Sequence, residues 1–120
     1  MTLSEDEAAK HAKNLTLALG ILESYWERFA ENMSAEDHAM LTNELTQLEP
    51  RIRNSASITE TSEQAIRFFN VCSQIEPLSF LSNMDNTLNR GASLPAPDEE
   101  VKIKILNYCI TLKEKMGPGD

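Results

Sequence analysis

Chemistry at neutral pH draws on histidines, cysteines and displaced carboxylates, and this chain offers few of each. Its two histidines are His11 and His38. A zinc or di-iron site needs three or four converging ligands at paired spacings. Neither a Glu-x-x-His pair nor a His-Glu-x-x-His run occurs, so no metal and no other cofactor is expected. A histidine can also relay phosphate, and it then needs an exposed helix face and a lysine one turn on to meet the anionic charge. The one-turn positions are Asn14 and Leu15 after His11, and Leu41 and Thr42 after His38. Lys13 lies two residues from His11, on another side of a helix.

Nucleophilic attack needs a base within reach of a serine or an activated thiol. Cys72 and Cys109 both fall in apolar stripes, where a thiol packs and stays protonated. They fit no disulfide framework and no C-x-x-C pattern, so free, reduced thiols in a cytoplasmic protein are expected. Asp85, between Met84 and Leu88, is the one carboxylate placed near a core stripe, a buried acid or a marginal surface residue. With 4 glycines in the chain and no Gly-rich phosphate loop, nucleotide chemistry has no signature. The expectation is a protein that is not an enzyme.

Charge narrows the partners. The formal net charge is −8, from 11 basic and 19 acidic residues. Nucleic acid and anionic membrane are both disfavoured, because each needs a positive surface. No run approaches the ~18 apolar residues that span a bilayer, and the acidic start, Met1 to Glu7, is not a signal peptide. Hydrophobic residues make up 41% of the chain and charged ones 25%, the balance of an ordinary globular domain. A single domain over 1–120 is expected, with 117–120 a frayed tail.

The elements that position these residues read as helices. Ser4 with Glu7 forms a capping box. Ala8, Ala12, Leu15, Leu19, Leu22, Trp26, Phe29 and Met33 then recur at steps of three and four, the pattern of one long first helix with Tyr25 and Trp26 as core anchors. Ser34 caps a second helix carrying Leu41, Leu45 and Leu48. Pro50 either stops it or kinks it on toward Asn54. Residues 54–61 read as a polar connection, with Thr61 and Gln64 capping a third helix of Ala65, Phe68, Phe69, Cys72 and Ile75 that Pro77 ends. Leu78, Leu81, Met84 and Leu88 mark a fourth helix, closed by Gly91. After the linker 92–97, Asp98 caps a last helix with Val101, Ile105, Tyr108, Cys109, Leu112 and Met116 on one face. No strand pattern appears, so the fold class is an all-α compact bundle of four to five helices.

Two helices carry surplus hydrophobicity. Ile103, Leu106 and Ile110 cluster opposite the main stripe of the last helix, which is thus apolar on two faces. Either this helix sits in the middle of the bundle, or its second face meets another chain. Leu17 and Ile21 fall outside the stripe of the first helix and pose the same choice. The expected function is a protein-interaction module (an adaptor, regulatory subunit or small inhibitor) that binds a protein partner or itself through these five residues. The alternatives are a histidine phosphotransfer relay and a small-ligand or metal-binding bundle.

Overall fold

The computed structural model describes residues 5–88 and 98–116. Ser4, Gly91, the linker 92–97 and the tail 117–120 lie outside them. So do the side chains of Met84, Asp85 and Leu88. Among the described residues there are six α-helices and no strand: α1 (Glu5–Ser24), α2 (Trp26–Asn32), α3 (Ala35–Arg53), α4 (Ile58–Ser73), α5 (Ser79–Leu88) and α6 (Asp98–Met116).

The long first helix is in fact two. Tyr25 leaves the helical region at φ −116° and ψ 25°. The turn keeps its hydrogen bonds: the Tyr25 N–H donates to the Ile21 carbonyl at 3.0 Å, and the Tyr25 carbonyl accepts from Arg28 and Phe29 at 3.1 and 3.2 Å. Bending here leaves Tyr25 57% exposed, so it is no core anchor, while Trp26 remains buried. It also brings Phe29 against Phe80 of α5, with ring centroids 5.9 Å apart.

α3 settles the choice at Pro50. Ser34 caps it, accepting from the Asp37 N–H at 3.1 Å, and the helix runs through Pro50 to Arg53 with Ile52 buried. Proline supplies no N–H to the Thr46 carbonyl, and both residues face solvent, where water can take that bond.

α4 starts earlier than its sequence suggests. Ser57 is its cap, accepting from the Glu60 N–H at 3.2 Å, while the Glu60 carboxylate accepts from the Ala56 N–H at 2.9 Å. Thr61 is buried rather than capping. Its hydroxyl pairs with that of Ser55 at 2.7 Å, and Ser55 donates to the Ile52 carbonyl at 2.8 Å. This small polar knot pins α4 to the end of α3. A 3-10 turn over Glu76–Leu78, opened by Pro77, leads into α5.

Four helices close a ring: α1 packs on α4, α4 on α3, α3 on α6, and α6 on α1. α1 and α3 therefore lie on the diagonal. α5 covers one side, against α4 and α1. Leu15, Leu19 and Leu22 of α1 are fully buried in the shared core with Leu41, Leu45 and Leu48 of α3, Phe68 of α4 and Ile105 of α6.

Candidate functional site

The last helix is a wall of the ring, not its axis. Val101, Ile105, Cys109 and Leu112 are buried, and Leu106 is half-buried against the core. Ile103 and Ile110 are 54% and 42% exposed. A central position for α6 is thereby excluded: its flanks meet α1 and α3, and its outer face meets solvent. Five chemically similar residues are thus split. Ile103 and Ile110 form the outer face, and Leu106 leans inward. Leu17 and Ile21 lie instead on α1, beside a groove.

That groove, of 830 Å³, runs between α1 and α6. Leu17, Ile21, Val101 and Tyr108 give it apolar walls, and Lys13, Lys104, Glu23 and Glu100 line it with charge of both signs. The two helices touch where Tyr108 lies over Gly20. A Cβ on Gly20 would stand 3.1 Å from the Tyr108 hydroxyl, so a hydrogen here lets the ring sit against the helix. Leu17 is 44% exposed and Ile21 half-buried. At one end the Lys115 Nζ lies 3.4 Å from the Glu23 carboxylate and donates to the Glu23 carbonyl at 3.3 Å. These contacts make α1 and α6 parallel. All six lysines of the chain, Lys10, Lys13, Lys102, Lys104, Lys113 and Lys115, stand on these two helices.

The opposite flank of α6 is sealed. Lys113 Nζ is 2.8 Å from the Glu49 carboxylate of α3, and Lys102 donates to the Ser55 carbonyl at 2.8 Å. The hydrogen bond from Lys113 holds the Glu49 carboxyl below its ordinary range.

A charged group that the sequence hid lies between α3 and α4. Glu44 is buried, with one carboxylate oxygen 3.8 Å from Arg51 and the other 3.9 Å from Arg67. Neither distance is a hydrogen bond. Burial pushes the Glu44 carboxyl up, and the two guanidinium groups pull it partly back. Its position, three residues after Leu41 and four before Leu48, is the signal that would have marked it as a core-facing acid. Both cysteines are free and fully buried. Burial, and then the Glu44 charge, pushes the Cys72 thiol far above its usual range. Burial, and then Glu49, pushes Cys109 up to about 12. Neither is a thiolate at neutral pH.

The histidines stand apart. His11 is half-buried on α1. His38 occupies the first turn of α3 with its ring 5.7 Å from that of Trp26, tilted by 53°. One turn on, Leu41 is buried and the Thr42 hydroxyl donates to the His38 carbonyl at 2.8 Å. Among the described residues no three His, Cys, Asp or Glu side chains converge as metal ligands, and no helix is long and apolar enough to cross a membrane. No family model, curated protein or solved structure matches the chain.

Proposed function

We propose that this chain is a non-enzymatic protein-interaction module that binds through the outer face of α6, with the neighbouring α1–α6 groove as an extension of the same surface. The observation that carries this reading is the exposure of Ile103 and Ile110, two large side chains on one face and two turns apart. Covering an isoleucine contributes about 1.5–3 kcal/mol, and hydrophobic anchors at such spacing are how helix faces recognise partners. The buried thiols and the ion-paired Glu44 are built for packing and add no competing chemistry.

Affinity capture from extracts of the native cell tests the reading, with the wild-type chain and an Ile103→Glu/Ile110→Glu variant as baits. The variant should keep a helical circular dichroism spectrum and lose what the wild type retains. An identical bound set on both baits refutes the interface.

The groove supports a second reading, a carrier of a small apolar ligand. Its 830 Å³ lies within the roughly 300–1,000 Å³ of ligand pockets. Native mass spectrometry of protein from its own cell should then show added mass, absent from a Leu17→Trp variant that fills the groove. Bare protein from both would discard it.

A further inference from the structure

Of the charged side chains lining the α1–α6 groove, all but one are already paired. Glu23 stands 3.4 Å from Lys115, and Glu100 stands 3.9 Å from Lys104. Lys13 has no ion-pair partner among the described residues, and it is half-buried where Lys104 is exposed. The groove therefore holds one uncompensated positive charge.

That charge stands at an end. Lys13 is the first α1 residue of the lining and Glu100 the first of α6, and the two helices are parallel. Lys13 thus shares its end with the Glu100–Lys104 pair, which is neutral as a whole. From there Leu17, Ile21 and Tyr25 follow one turn apart along α1, with Val101 and Tyr108 on the wall opposite. Tyr25 lies twelve residues beyond Lys13, about 18 Å at the helical rise.

We propose that the groove binds a free long-chain carboxylate, its chain along Leu17 and Ile21 and its head accepting hydrogen bonds from the Lys13 ammonium. The proposal rests on the ligand-carrier reading above and names the class of ligand. An extended chain matches apolar residues that run lengthwise, and one head-group charge matches one unpaired lysine. A cationic head would meet Lys13 with like charge. A dianionic head would keep a second negative charge beside Glu100. The −8 of the whole chain does not oppose the single charge of a carboxylate, because physiological salt screens whatever lies beyond about 8–10 Å.

Calorimetric titration of the full chain with dodecanoate tests this, beside dodecyltrimethylammonium and an uncharged dodecyl glycoside, all below their micelle concentrations. Dodecanoate should bind tightest of the three. Decanoate should bind about four- to sixteenfold more weakly, at two- to fourfold for each methylene half or wholly removed from water. Lys13→Gln should weaken dodecanoate about three- to tenfold, leave the glycoside unchanged and keep a helical circular dichroism spectrum. Lys13→Arg should retain dodecanoate, and Leu17→Trp should lose both compounds. Dodecanoate binding no tighter than the glycoside or the ammonium overturns the proposal, as does Lys13→Gln binding dodecanoate like the wild type. In either case glycoside binding that Leu17→Trp abolishes keeps the apolar-carrier reading. If no dodecyl compound binds, both fall.

Discussion

α6 meets its two neighbours in opposite ways. Toward α3 it runs antiparallel and sealed, with Lys113 on Glu49 and Lys102 on the Ser55 carbonyl. Toward α1 it runs parallel and stands off, touching closely at Gly20 and Tyr108 and leaving the groove beside that contact. Lysines flank both sides, so the helix's own composition does not decide which flank closes. The acceptors opposite do. α3 offers the Glu49 carboxylate and, just past its end, the Ser55 carbonyl, whereas α1 offers one carboxylate, Glu23, near the groove's end, with Leu17, Gly20 and Ile21 along the rest beside Lys13 and Thr16.

One core lies beneath both flanks, and emptying it should have the largest effect. Leu22→Ala on α1 and Phe68→Ala on α4 should each cost about 2–5 kcal/mol in denaturant unfolding. A loss below ~0.5 kcal/mol at either would mean the two flanks do not share that core.

The closed side should respond to pH in two opposite directions. Glu44 has a raised folded pKa, so folding favours its protonated form. Its contribution is fully present below 4.5 and is lost as pH rises through the raised value. Glu44→Gln should therefore be more stable than wild type at pH 7, with the gap closing below pH 4.5. Glu49 is lowered, so its pairing contributes above 4.5 and is lost as pH falls through the depressed value. Glu49→Gln should therefore be less stable than wild type above pH 4.5, with the gap closing as pH falls through the depressed value. Chemical unfolding from pH 3 to 8 separates the two; parallel curves for all three proteins would contradict both assignments.

Lysine deletions compare the flanks directly. Lys113→Ala should cost about 0.5–1 kcal/mol and Lys115→Ala about half that or less, because the first pair is shorter and less exposed. Equal costs would erase the distinction. The smallest effect belongs to the outer face: Ile110→Glu should leave the monomer's thermal stability within ~0.5 kcal/mol. A collapse would place Ile110 in an interior.

Much of this was written in helical periodicity. The stripes of α3 and α6 appear in the structure as buried rows, and Ser34 caps α3 as its spacing with Asp37 implies. The bend at Tyr25 was illegible because the stripe from Leu22 through Trp26 to Phe29 keeps its phase across it. The start of α4 was legible and missed. Ser57 and Glu60 have the capping spacing, but Thr61 and Gln64 have it too, and only burial of the Thr61 hydroxyl decides between them. The inward placement of Glu44 was legible in its spacing from Leu41 and Leu48 and missed, whereas nothing local reveals that Arg67 of another helix will reach it. The exposure of Ile103 and Ile110 depends on how many neighbours α6 acquires, and the periodicity of one helix carries no such count.

The diagonal placement of α1 and α3 sets an order of assembly. The first 53 residues contain three helices, yet α1 finds its main partners in α4 and α6, not in α3. During synthesis, at roughly 5–20 residues per second, α1 must wait seconds with Leu15, Leu19 and Leu22 uncovered. α3 and α4 can meet as soon as the knot at Ser55 and Thr61 forms, a local closure with little entropy to lose. α1 joins them only by closing a loop through the whole second helix pair, and α6 must then find both diagonal helices at once. Synthesis of these helices thus runs ahead of their packing, and the leucine row of α1 stays uncovered until α4 has been made.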